Sequence, residues 1–157
     1  MEKLDEKATR IFAQLLEKLK ESDRLRITNE GFMPLVMELV DTNITTPKGS
    51  ADLYSLAHYY SQNGDAMRDP EMCFLVIDSR TTPEDYSGLQ IYPTYFLMDG
   101  MGVEQNSIVI HEKRIIGCII QVQRDHAIFS NQWLSNIAEQ GFLQQPGHSD
   151  DAGNKKQ

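Results

Sequence analysis

The sequence predicts an α+β domain: a mainly antiparallel sheet of about five strands, with an N-terminal and a C-terminal helix packed on it. Three observations predict it. Apolar residues recur at helical spacing over residues 5 to 20 and again over 131 to 140. Between them lies a series of short apolar and aromatic runs. Turn residues join these runs, and no helical segment is present to carry a crossover, so neighbouring strands run antiparallel.

The first helix places Ala8, Ile11, Phe12, Leu15, Leu16 and Leu19 on one face. Asp5 is placed to cap it. Asp5 and Glu6 at its start, with Lys18 and Lys20 at its end, suit the helix dipole. Ser22 to Gly31 is polar and turn-prone. Met33 to Val40 alternates Leu35, Met37 and Leu39 against Val36, Glu38 and Val40, which is a strand whose start Pro34 sets at an edge or boundary. Asp41 to Ser50 reads as a loop around Pro47-Lys48-Gly49. Leu53 to Tyr60 fits both periods, but its aromatic content and the Asn63-Gly64 dipeptide favour a strand entering a hairpin. Met72 to Asp78 is apolar on both faces and reads as a central strand. A loop over Ser79 to Gly88 leads to a strand from Leu89 to Met98, and Asp99-Gly100 marks the next turn. Val103 to His111 and Ile115 to Val122 read as the last strands, with Gly117 marking a bulge. Ser130 is placed to cap the final helix, whose apolar face is Trp133, Leu134, Ile137 and Ala138, and Gly141 stops it. The reading is one domain over 1–143 and a disordered tail over 144–157.

The net charge of −8 disfavours nucleic acid as a partner, because phosphate binding needs a basic face. No basic-then-apolar leader and no apolar stretch of membrane-spanning length is present, so the expected location is the cytoplasm and no membrane partner is expected. Cys73 and Cys118 sit in apolar runs and read as free buried thiols. Gly-rich phosphate loops, His-Glu-x-x-His, Cys-x-x-Cys and nucleophile elbows are absent, and no cofactor or metal is expected.

Chemistry concentrates in His58-Tyr59-Tyr60-Ser61-Gln62-Asn63-Gly64-Asp65-Ala66-Met67-Arg68-Asp69-Pro70-Glu71-Met72. A two-residue turn at Asn63-Gly64 would set Gln62 opposite Asp65, Tyr60 opposite Met67 and His58 opposite Asp69. Three uses of this cluster are open. Asp65 and Asp69 can bond turn amides while Arg68 pairs with an acid and His58 packs on its tyrosines. The segment can be a recognition surface, with Tyr59, Tyr60 and Arg68 as anchors and Asn63, Asp65, Asp69 and Glu71 beside them. His58 with Asp65, Asp69 and Glu71 has the residue types for a metal or acid–base site, although one histidine and irregularly spaced acids match no standard metal signature.

The same run resembles the hallmark of an uncharacterised domain family of phage, plasmid and conjugative-element proteins, whose pattern is H-Y-Y-x-Q-N-G-D-x-M-x-D-P-E-M. Pro93 within its aromatic strand, and Trp133 followed by Gln140-Gly141-Phe142, are similar to that family's later motifs. The resemblance covers residues 32 to 143. It implies a genetic context and no mechanism. The expected role is therefore an accessory or interaction module of a mobile genetic element that binds a protein partner. The alternative is a metal-dependent or acid–base hydrolase using His58 and the nearby carboxylates.

Overall fold

A computed structural model describes residues 1–149 of the chain. The elements are α1 (Glu6–Leu19), β1 (Arg24–Ile27), β2 (Leu35–Thr46), β3 (Gly49–Gln62), β4 (Asp65–Asp78), β5 (Leu89–Met98), β6 (Val103–Asn106), β7 (Ile108–His111), β8 (Arg114–Cys118), α2 (Ile120–Glu139) and β9 (Gly147–Ser149). Short 3-10 turns precede and follow β5, and a third follows α2. The α+β class holds, but among the described residues the sheet has nine strands, not about five. Seven run in the order β6-β5-β4-β3-β2-β1-β9, and the β7–β8 hairpin joins through a single parallel bridge from Arg114 to Thr45. Val103 to His111, expected as one strand, forms two, β6 and β7, and the unexpected β1 and β9 are four and three residues long, too short for alternation to announce them.

α1 forms as its pattern dictates. The Asp5 carboxylate accepts from the Ala8 amide at 2.8 Å, and Phe12 is fully buried with its ring edge-on to Phe74 at 5.1 Å. The expected loop over 41 to 50 is instead strand almost throughout. β2 and β3 run to a tight turn at Pro47-Lys48, where the Thr46 hydroxyl donates to Gly49 O at 2.7 Å and accepts from the Lys48 amide at 3.1 Å. Ile44, fully buried, anchors the strand through this polar stretch.

The largest departure is α2. Strand character ends at Cys118, and the helix runs 20 residues from Ile120, not from Asn131. Its inward stripe is Gln123, His126, Ala127, Ser130, Trp133, Leu134 and Ile137. Three of those seven positions are polar, so hydropathy hides the spacing. Each finds partners. Gln123 Nε2 donates to Glu2 O at 2.7 Å and Pro93 O at 3.2 Å, His126 is bonded by Ser107 and Gln105, and the Ser130 hydroxyl donates to His126 O at 2.8 Å.

The two helices cover one face of the sheet and bury Leu35, Met37, Leu56, Met72, Phe74 and Ile91 beneath them. The β7–β8 hairpin covers part of the other face over Ile44, Leu75, Ile77 and Tyr92. Within the stretch expected as a tail, β9 pairs antiparallel with β1, Leu25 opposite Ser149 and Ile27 opposite Gly147. Residues 150–157, also assigned to that tail, lie outside the described residues.

Gly147 lies so close to Leu25 that a Cβ there would run into its Cδ1. Gly147→Ala is therefore expected to force buried Leu25 off its rotamer and destabilise the fold by about 1 kcal/mol. Thermal denaturation reads this out, and an unchanged midpoint would mean that β9 does not rest on β1.

Candidate functional site

The segment from His58 to Met72 forms the far end of the β3–β4 hairpin. Asn63 at φ 54° and Gly64 at φ 87° supply the two positive values that a type I′ turn requires. Gln62 pairs with Asp65 and Tyr60 with Met67, the register expected from that turn. The expected pairing of His58 with Asp69 does not form. Tyr59 pairs with Arg68 and Ala57 with Glu71, so His58 alone spans Asp69 and Pro70 in a bulge. β2 pairs with β3 only as far as His58, and β5 with β4 only as far as Glu71. Residues 59 to 68 therefore extend past both neighbouring strands as a two-stranded arm.

A two-stranded ribbon is marginal alone, and this one is latched from the side. The Asp99 carboxylate, in the turn after β5, accepts from the Arg68 amide at 2.9 Å and from Arg68 Nε at 3.0 Å. Arg68 Nη1 donates to Glu71 Oε1 at 3.0 Å. Gly100 lies against the Tyr60 hydroxyl, where a Cβ would sit 2.8 Å from the oxygen. The Arg68 bonds hold the Asp99 carboxyl below its ordinary range. Burial pushes the Glu71 carboxyl up, although the Arg68 charge works against that. Burial and the neighbouring Glu71 charge push the Tyr59 phenol up. Asp99 is the member of this network that the sequence reading missed. Its Asp-Gly dipeptide points to a local turn; its reach to Arg68 depends on Leu97 pairing with Glu71, which brings Asp99 level with the arm.

The candidate residues thus divide. Tyr59, Arg68 and Glu71 share one side of the arm's base, Tyr60 packs toward Gly100, and Asn63 and Asp65 stand exposed at the tip. The side-chain bond to an arm amide comes from Asp99, not from Asp65 or Asp69 as the turn reading expected. His58 leaves the group. Alternation sends it to the helix side, where its ring lies 5.7 Å from Trp133 and 5.4 Å from Phe142, with Nδ1 3.4 Å from Pro34 O. Burial lowers its pKa; Asp69 acts on it through its charge. Among the described residues no three His, Cys, Asp or Glu side chains are grouped to hold a metal ion. Cys73 and Cys118 are free but only partly buried, not buried as expected, and burial pushes the Cys73 thiol up to about 12. A cavity of about 1010 Å³ lies elsewhere, beside the C-terminal end of α1 between Tyr54, Asp52, Asp78 and Tyr86. There Arg80 already holds Asp78 through Nε at 2.9 Å and Nη2 at 2.8 Å.

A family model described as a domain of unknown function, DUF6908, matches residues 7–143. The chain belongs to the DUF6908 family. No curated protein and no solved structure matches it. The DUF6908 match begins inside α1, so this helix belongs to the family's domain, beyond the 32 to 143 span of the motif resemblance.

Two outcomes are expected of this DUF6908 domain. Asp99→Asn weakens the charge-assisted bonds to Arg68, whose side chain stays 39% exposed, so the loss is about 1 kcal/mol after solvent screening. Hydrogen exchange should then speed up at the amides of Tyr59 to Arg68 while the β4–β5 ladder keeps its protection; uniform exchange across both would show that Asp99 does not hold the arm. The second concerns pH. His58 has a folded pKa below its ordinary 6.5, so the unfolded chain binds the proton more readily. Its contribution to stability is present above 6.5 and is lost as pH falls through that value toward the folded pKa. The melting temperature of His58→Phe should therefore fall less between pH 7.5 and 5.5 than that of the parent, and parallel curves would remove His58 as a cause.

Proposed function

We propose that this domain is a protein-binding module of a mobile genetic element and that the β3–β4 arm is what it presents to the partner. The observation that carries the reading is the projection of residues 59 to 68 past both neighbouring strands, held by the Arg68–Asp99 latch. A latched arm loses little conformational freedom on binding, which favours recognition. Its tip from Ser61 to Ala66 is exposed, and Tyr59 and Arg68 at its base are residue types enriched where binding energy concentrates. The net charge of −8 argues for a protein partner over nucleic acid. The mobile-element context rests on the resemblance of the His58-to-Met72 run. The hydrolase alternative lacks a geometric argument, because His58 packs into the aromatic core while the bulge sets Glu71 on the opposite face, across from Ala57.

Photo-crosslinking in the native host tests the proposal. A photoreactive residue at position 63 or 65 should give one discrete protein adduct, and the same residue at position 17 on α1 should not. Asp99→Ala should abolish the adduct by loosening the arm. Equal adducts from all three positions, or none from the arm, would overturn the assignment.

A further inference from the structure

Four isoleucines stand in water where β8 passes into α2. Ile116 is 63% exposed, Ile119 53%, Ile120 69% and Ile128 63%. The sequence packs them there for local reasons. Val109 pairs with Gly117 and Ile110 with Ile115, so Ile116 is the extra residue of a bulge and faces no cross-strand partner. Ile119 occupies the N-cap of α2. Ile120, Arg124 and Ile128 follow at intervals of four along the helix and are exposed beside its buried stripe. Isoleucine is among the residue types most often buried, and a contiguous group of exposed ones marks an interaction surface.

The charge around the patch is positive. Arg114 and Arg124 flank it, and neither takes part in an ion pair among the described residues. The first turn of α2 holds no acid, and Ile119 offers no side-chain cap, so the positive end of the helix dipole is uncompensated. Asp125, the acid of this stretch, accepts from Gln121 Nε2 at 3.3 Å. Among the described residues, a chain of net charge −8 thus keeps Arg114 and Arg124 out of ion pairs beside its exposed isoleucines.

That charge decides between occupants. A second copy docked about a two-fold axis would set this positively charged patch against itself, like charge facing like. An anionic membrane would meet two free cations but be repelled by the remaining acidic surface. A short segment has neither difficulty. We propose that the β8–α2 junction docks an amphipathic segment of a partner protein, with an apolar face on the isoleucines and one or two carboxylates on Arg114, Arg124 and the start of α2. This surface is separate from the arm and does not rest on it.

Fluorescence anisotropy with the full chain tests this. The probes are two labelled helical peptides with the same leucine face, one carrying glutamates on its polar face and one carrying lysines. The glutamate peptide should bind about tenfold or more tighter than the lysine peptide. The Ile120→Ser/Ile128→Ser double variant should weaken it by a similar factor, and Arg124→Glu should reverse the preference. Methyl shifts of Ile116, Ile120 and Ile128 in the unsubstituted chain should move on titration, a reading that needs no variant to fold. Asp99→Ala should leave peptide affinity unchanged, so failure of the arm and failure of this patch remain distinguishable. Equal affinity for both peptides, binding of neither, a dimer dissolved by Ile116→Ser, or binding to phosphatidylserine vesicles in place of the glutamate peptide would each overturn the proposal.

Discussion

The two-against-one offset at His58 is the constraint on which the rest of the domain depends. Side-chain direction in a ladder has period two, so an extra residue on one strand changes what its neighbours face. Opposite His58, β4 holds Asp69 and Pro70. On the core side of that offset, Leu56 and Met72 are fully buried beneath the helices. Beyond it, Arg68 reaches Asp99 and Glu71 on the outer side. Without it the hairpin would continue in its inner register, and Arg68 would leave its acids or carry a charge toward the core.

The two faces of the sheet are closed by different means. On the helix side, closure is conventional for α1, whose stripe is aliphatic and aromatic, and unusual for α2, whose stripe alternates apolar residues with Gln123, His126 and Ser130. Those polar groups join elements distant in the chain: Gln123 ties Glu2 to Pro93, and His126 ties α2 to Gln105 and Ser107 beside the edge strand. Helix placement thus rests partly on directional bonds, which fix position more narrowly than apolar contact does. On the other side, the β7–β8 hairpin covers only the part over Tyr92 and Leu75, and the remainder is capped by the half-buried Tyr59, Glu71 and Tyr95.

What could be read from the residues follows the same physics. α1 was legible because Ile11, Phe12, Leu15 and Leu19 are all apolar at one period. The arm's turn was legible because Asn63 and Gly64 both tolerate positive φ. The start of α2 was not, since Ile115 to Ile120 reads as β-branched strand and the first inward positions of the helix are a glutamine and a histidine. β1 and β9 were not, because three or four residues carry no period and their pairing is set by distant partners. Asp99 was misjudged for the same reason: its local role as a turn former is encoded beside it, whereas its bond to Arg68 spans 31 positions. A register without the bulge sets His58 opposite Asp69 and beside the carboxylates; one offset in the ladder separates it from Glu71.

The outermost strands carry a consequence for solubility. An open sheet invites self-templating growth through its last unpaired backbone groups. Here the long central strands are screened by β6 on one flank, four residues rich in polar side chains, and by β9 on the other, three exposed residues. Among the described residues, so short an edge on either flank offers a second molecule little to extend, which disfavours edge-to-edge growth of the layer.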